Sequence, residues 1–353
     1  MSTKRARAQA HAWELGTNTL RRGMMARVER NTELHAQLAF AAIPALLEHH
    51  LAKCEALFNS AGRPLEPHQR SEFRSLLQRA LEQGFELSPH AKIVVQFTSD
   101  PPPRVAMSYQ IGIQTKDIAD VYTAWLGQPE QPYFGKHPDA KVMSVASEVE
   151  RGRRALDIGA GTGRNSLPLA KAGLVVDAIE MTPGFVSLMR AAAETEKLPL
   201  TVLEGDAFDP ALKLPDAGYA LIVASEVVSS HARDLGDLHA FFDLASTKLE
   251  PGGALVCNLF LARAGYAPDA LARQLAPSFL TAVFTDADLE QALDRLPLAI
   301  VSNESCASYE REHLAPEAWP PTPWFEPWAN GNNLFDIPGQ PPIELRWLVL
   351  RRA

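Results

Sequence analysis

Residues 155–173, ALDIGAGTGRNSLPLAKAG, run from an apolar, strand-like stretch through Gly159, Gly161 and Gly163 into a helix-like stretch. A strand, a glycine turn and a helix start form a common cradle for a nucleotide, because backbone N–H groups converge there. The spacing decides which nucleotide. Counted from Gly159, a dinucleotide fingerprint G-x-G-x-x-G needs its third glycine at position 164, and Arg164 stands there. No Gly-Lys-Ser/Thr follows, so the loop is not a P-loop. Asp157, at the end of the strand, sets a negative charge where a pyrophosphate would lie. It suits a ligand that carries positive charge.

Outward from this loop, the chain after residue 150 alternates apolar strand candidates with helical runs. The strands are Ala155–Ile158, Leu174–Ile179, Leu200–Leu203, Tyr219–Ala224, Ala254–Leu261 and Leu298–Ser302; Pro183–Ala193, Leu238–Leu249 and Asp286–Leu296 are helical. This is the signature of βαβ units on a parallel sheet. A last β-rich run, Ile343–Leu350, follows a long loop read as lacking helix, which places it antiparallel. The fold class expected is α/β: a doubly wound, Rossmann-like, mostly parallel seven-stranded sheet with an antiparallel last strand. Pro168 is expected to kink the first helix.

Upstream, residues 1 to about 90 read as helical, with Leu34, Leu38, Ile43, Leu46, Leu47, Leu51 and Leu57 near helical spacing. A further helix is expected to start at Ser71 and stop at Gly84. Two β-rich runs flank Pro101–Pro103 as a strand pair. The expected domains are an N-terminal, mainly helical accessory domain at 1–115 with a short strand pair, a linker or cofactor-covering segment at 116–145, and the α/β domain at 146–353.

The 353 residues are 46% hydrophobic and 22% charged, enough for one large core or two modest ones. The longest early apolar run, Leu38–Leu47, contains Pro44 and is too short for a membrane span. The basic start leads into no apolar segment, so a cytoplasmic location is expected. Cys54, Cys257 and Cys306 lack metal or disulfide spacing and are expected as reduced, mostly buried thiols, with no metal. The net charge of −8 offers no general attraction to nucleic acid or anionic membranes. Locally, Lys4, Arg5, Arg7, Arg21, Arg22, Arg27 and Arg30 face only Glu14 and Glu29, a pattern read as a solvated helix face.

The acid followed by G-x-G-x-G resembles the first motif of class I S-adenosylmethionine (SAM)-dependent methyltransferases. The stretch DIGAGTGRNSLPLA is most similar to the tellurite-resistance methyltransferases and their small-molecule relatives. The resemblance spans roughly 145–353 and implies SAM as cofactor. It implies that Asp157, Gly159, Gly161 and Gly163 cradle SAM and that Glu180 bonds the ribose hydroxyls. Asp206, with Ala207 or Phe208, in LEGDAFD would hold the adenine. Met181 and Ser225 join this set, and Tyr122 and Trp125 stand where relatives fold a segment over the cofactor. The glycine turn and final strand, LEPGGALV and IELRWLVLRR, keep the family order.

Methyl transfer is an in-line displacement that needs alignment in a dry site more than side-chain chemistry. The exit of the fourth strand, LIVASEVVSSHARD, is the place for the acceptor: Glu226 or His231 can take a proton, with Ser229 and Ser230 beside them. Trp324 and Trp328, on a proline-rich loop, complete the expected acceptor pocket. The chain lacks the Asn/Asp-Pro-Pro-Tyr/Phe motif of amino-methylating nucleic-acid enzymes and a cysteine placed for attack on a pyrimidine. The expected function is methyl transfer to a small molecule, without membrane or nucleic-acid partners, homodimerisation being left open. Two alternatives stand beside it: a protein or RNA methyltransferase using the basic N-terminal region, and a SAM-binding partner subunit without catalysis.

Overall fold

A computed structural model describes residues 16–31, 33–100, 107–115, 122–123, 134–209 and 211–353. The expectations for Lys4, Arg5, Arg7, Trp125 and the Pro101–Pro103 turn lie outside these residues. The chain divides into two compact units, Met1–Thr115 and Lys116–Ala353.

The first unit contains helices α1 (Thr17–Arg30), α2 (Leu47–Ser60) and α3 (Pro67–Leu87) and strands β1 (Leu34–Ala41), β2 (Lys92–Ser99) and β3 (Met107–Gln114). The strands form an antiparallel sheet in the order β1-β2-β3. Its core joins Leu51, Cys54 and Phe58 of α2 and Phe73, Leu77 and Leu81 of α3 to Ile93, Val95 and Phe97 of β2. The helical reading of Leu34 and Leu38 is corrected here: both lie on β1. Leu34, Ala36, Leu38 and Phe40 alternate toward the core, and a period of two fits these residues as well as a period of four. The expected strand pair stands as β2 and β3, and β1 adds a third strand beside β2. Nor does α3 start at Ser71 and stop at Gly84. It starts at Pro67 behind Glu66, whose side chain and that of Gln69 cap each other's backbone, and it runs through Gly84. A Cβ on Gly84 would come 2.8 Å from that of Ala42, so this glycine serves a close approach rather than a stop.

In the second unit, β4 (Arg154–Ile158), β5 (Val175–Glu180), β6 (Leu200–Glu204), β7 (Tyr219–Ala224), β8 (Leu249–Ala262), β10 (Leu298–Ser305) and β11 (Ile343–Arg352) form one sheet in the order β10-β11-β8-β7-β4-β5-β6. A two-residue strand, β9 (Val283–Phe284), adds to β8. The pairs β4–β5, β5–β6, β4–β7 and β7–β8 are parallel. β11 enters antiparallel between β8 and β10, as the final run required. All six residues of β7 are buried, as expected of a central parallel strand covered on both faces. Leu238, Phe241, Phe242 and Ala245 of α8 (Leu235–Lys248) cover one face, and each buried Leu or Phe contributes about 1.5–3 kcal/mol. Val142 and Val145 of α4 (Ala140–Ala146), Leu169 of α5 (Ser166–Lys171) and Phe325, Trp328 and Trp347 belong to the core on the other. α6 (Pro183–Glu196) packs Val186 and Met189 on Ala178 and Val202.

Two local expectations change. Beyond α9 (Ala270–Leu275) and α10 (Asp286–Ala292), the stretch between β10 and β11 is not free of helix: it holds α11 (Cys306–His313) and α12 (Phe325–Ala329). Pro168 produces no kink inside a longer helix, because α5 begins only at Ser166. Leu167 N–H donates to Gly163 O and Leu169 N–H to Asn165 O, and Pro168 skips the bond between them. Cys54, Cys257 and Cys306 are buried free thiols. Among the described residues no helix is long and apolar enough to cross a membrane.

Candidate active site

The strand order reverses between β4 and β7, and in open α/β sheets the crevice beyond the carboxyl ends at such a point receives the ligand. Gly159, Gly161 and Gly163, which follow β4, all have left-handed backbones. Gly159 has a second reason to be glycine: an added Cβ would lie 2.3 Å from Val227 Cγ2, beyond the end of β7. The loop after β4 and the exit of β7 are thus pressed together.

Carboxylates dominate this crevice. Asp157 is buried and accepts from Ser166 Oγ at 2.5 Å. Burial pushes its carboxyl up to about 7; the Ser166 bond opposes this and Asp139 adds to it. Glu180, at the end of β5, accepts from Gly161 N–H at 2.8 Å and Thr182 N–H at 2.7 Å, so it fastens the glycine loop to the neighbouring strand.

Arg164, read in the sequence only as a missing glycine, lies at the centre of a buried ion cluster. It donates to Asp139 and, at 2.8 Å, to Glu226, and the three side chains are 7%, 1% and 12% exposed. Burial works against its charge, but Asp139 and Glu226 outweigh burial and hold the guanidinium above its ordinary range. Asp139 also accepts from Asn165 Nδ2 and Ser225 Oγ. From α11, Glu310 accepts from Ala140 and Lys141 N–H, fixing the start of α4 beside Asp139. Burial raises the carboxyls of Glu226 and Glu310 to about 7, with Arg164 opposing in the first case and Asp139 adding in the second.

Glu226 has a left-handed backbone at φ 63°, and Asn258 Oδ1 holds its N–H at 2.8 Å. Asn258 Oδ1 also accepts from Ser229 Oγ at 3.1 Å. Ser229 and Ser230 are buried, and Ser229 faces Asn258 rather than an open pocket. α7 (Val228–His231) ends in His231, whose Nε2 lies 2.9 Å from Tyr122 Oη. The Tyr122 ring packs on Phe134 and Phe185, and Phe134 lies against Gly161. Phe134 therefore covers the glycine loop, with Tyr122 packed against Phe134.

Met181, directly after β5, and Phe208, in the loop after β6, are 45% and 49% exposed. Asp206 is exposed beside them and accepts from Phe208 N–H, and Ala207 is buried. The two tryptophans separate. Trp328 belongs to the core, 7% exposed, with Nε1–H on Leu280 O at 3.0 Å and its ring on Phe260, which corrects its place in an acceptor pocket. Trp324 is 40% exposed and meets Trp328 edge-on. Sequence reading missed Asp139, Asn258, Phe185 and Glu310; the negative charge around Arg164 left no local pattern.

The methyltransferase domain family matches residues 155–253. Among solved structures, a geranyl diphosphate methyltransferase bound to GPP and sinefungin is similar at 13% identity, covering 61% of this chain and 77% of its own, with a TM-score of 0.48. Geranyl diphosphate C-methyltransferase from Streptomyces coelicolor A3(2) is 13% identical over 66% of this chain and 97% of its own, at a TM-score of 0.46. The cyclase SpnF is 18% identical over 67% of this chain and 92% of its own, at 0.45. No curated protein matches the chain.

Proposed function

We propose that the chain, whose residues 155–253 match a methyltransferase domain, binds SAM and methylates a small-molecule acceptor beside the exit of β7. The observation that carries this reading is the chemistry of the donor set. Arg164 is neutralised by two carboxylates, so Asp157, Glu180 and Asp206 leave the crevice acidic. A pyrophosphate would be repelled there, whereas a ligand with an ammonium and a sulfonium is attracted.

The rest of the set fits the same ligand. Met181 and Phe208 can sandwich the adenine with Asp206 on its amino group, and Glu180 is at the end of the strand between adenine and loop. SAM supplies an electrophilic methyl on its sulfonium. This chain supplies alignment and dryness: the left-handed glycines let the loop approach closely, and Tyr122 and Phe134 exclude water from above. Burial pushes the thiols of Cys54, Cys257 and Cys306 up, so none is ready as a thiolate for covalent attack on a pyrimidine ring.

Two experiments test this. Calorimetry with SAM and S-adenosylhomocysteine should show binding that Asp157→Ala weakens; no binding at millimolar concentration refutes the cofactor. Methyl-labelled SAM incubated with a metabolite extract, followed by mass spectrometry, should place the label on a small molecule. Label on protein or RNA, lost when residues 1–30 are removed, would instead favour a macromolecular acceptor.

A further inference from the structure

We propose that the proton released by the methyl acceptor leaves through Tyr122 Oη to His231 Nε2, which makes Tyr122 a catalytic residue. The proposal rests on the methyl-transfer reading above. Oxygen and nitrogen are 2.9 Å apart, hydrogen-bond distance, and the rings meet edge-on at 5.9 Å and 83°. The two residues are 109 positions apart in the chain, so the contact is built by the fold rather than by a local turn. Phe185 and Phe134 hold the Tyr122 ring from the sides at 6.2 and 6.3 Å, and Phe134 lies over Gly161. The phenol thus stands above the glycine loop, where its hydroxyl can meet an acceptor approaching the cofactor.

Among the described residues, the carboxylates of Glu180 and Glu226 act on Tyr122 electrostatically. After burial, their charges hold the phenol above its ordinary range. It therefore stays neutral and works as a conduit, donating one proton as it accepts another. As the acceptor atom forms its bond to the methyl carbon, the carbon–sulfur electron pair stays on sulfur. The acceptor's proton passes to Tyr122 Oη while the phenolic proton moves to Nε2 of the neutral imidazole. Tyr122 ends neutral and His231 ends as imidazolium, which returns its proton to water at its partly exposed edge. The products are thioether, methylated acceptor and one proton.

Glu226 is then a positioning residue. Arg164 holds its carboxylate, Asn258 its backbone N–H, and its left-handed backbone fixes the wall of the crevice.

The test measures label transferred from methyl-labelled SAM to a metabolite extract from about pH 5.5 to about pH 9, spanning the histidine range. Wild type, Tyr122→Phe, His231→Gln, their double variant and Glu226→Gln are compared, with calorimetry on SAM alone as the check of folding and cofactor binding. Tyr122→Phe and His231→Gln should each lower the rate about 10²- to 10⁴-fold. The double variant should lose little more than the worse single, because the pair acts as a unit. SAM affinity should persist in all of them. The wild-type rise in rate across the histidine range should vanish in both single variants and survive in Glu226→Gln.

A wild-type rate and pH profile in Tyr122→Phe overturns the proposal. So does a rise that vanishes in Glu226→Gln but persists in His231→Gln, or a loss of SAM affinity in step with the rate, which would assign the pair to cofactor binding. A wild type that binds SAM but labels nothing overturns the methyl-transfer reading itself.

Discussion

Gly159→Ala, alone and combined with Val227→Ala, tests whether the loop after β4 and the exit of β7 are locked together. Two costs are separable in the structure. The first is conformational: Gly159 has φ +67°, and a left-handed backbone costs a residue with a Cβ roughly 1–2 kcal/mol. The second is steric, since the new Cβ would sit 2.3 Å from Val227 Cγ2, a distance no real contact tolerates. Overpacking of this kind costs about 1–3 kcal/mol. Gly159→Ala should therefore destabilise by about 2–5 kcal/mol in total. Val227→Ala alone removes two methyl groups from a half-buried site and should cost about 1 kcal/mol. Combined, the changes should not add: the clash disappears, and the double variant should be about 1–3 kcal/mol more stable than the sum of the singles implies, leaving the conformational cost. Urea unfolding followed by far-UV circular dichroism gives all three values. Additivity within about 0.5 kcal/mol would refute the argument, because the glycine would then be needed for its backbone alone.

Three further perturbations address the charges and the adenine end of the crevice. Arg164→Met leaves Asp139 and Glu226 buried without their cation; it should cost about 3–5 kcal/mol, lowering the melting temperature by roughly 6–20 °C for a unit of this size. Glu226, which burial pushes up to about 7 even with Arg164 opposing, then holds its proton in the folded state where the unfolded chain has released it, so the loss should be largest at pH 8 and shrink as pH falls toward 5.5, and an equal loss at both would refute the ion-cluster argument. Asp157, pushed up to about 7 by burial, gains its negative charge as pH rises through neutrality; SAM affinity should rise from pH 6 to 8 and flatten in Asp157→Asn, and a flat wild-type profile in calorimetry would exclude its part in attracting the cation. Met181→Ala and Phe208→Ala remove exposed side chains and should leave unfolding within about 0.5 kcal/mol of wild type. Each should weaken SAM binding about 5- to 30-fold, and unchanged affinity in both would place the adenine elsewhere.

The parts of the fold that were legible in the sequence are those written over short distances. An apolar strand, an acid and three glycines in sequence specify β4 and its turn, and fully apolar runs such as Tyr219–Ala224 signal strands buried on both faces. Where two periods coincide the sequence is silent: Leu34 and Leu38 suit a helix, and the addition of Ala36 and Phe40 suits a strand equally well. Packing on α2 and α3 decides it. Gly84 shows the reverse case, a breaker by propensity that becomes part of a helix because Ala42 needs the space. The short helices at Cys306–His313 and Phe325–Ala329 carry too few apolar residues or too much proline and tryptophan to announce themselves.

The same distinction divides the site. The proposed SAM half lies on loops at the ends of consecutive strands, so it is spelled in contiguous motifs around Asp157, Glu180 and Asp206. The proposed acceptor half depends on pairs far apart in the chain: Arg164 reaches Glu226 across 62 positions and Asp139 across 25, and Tyr122 reaches His231 across 109. No spacing rule connects such residues. Glu226 illustrates the consequence, since at the strand exit a carboxylate reads as a general base, yet its role depends on what its oxygens face. With Arg164 bound to it and Asn258 fixing its backbone, its geometry is that of a wall, while the proton path proposed above runs through partly exposed His231, whose Nε2 lies 2.9 Å from Tyr122 Oη.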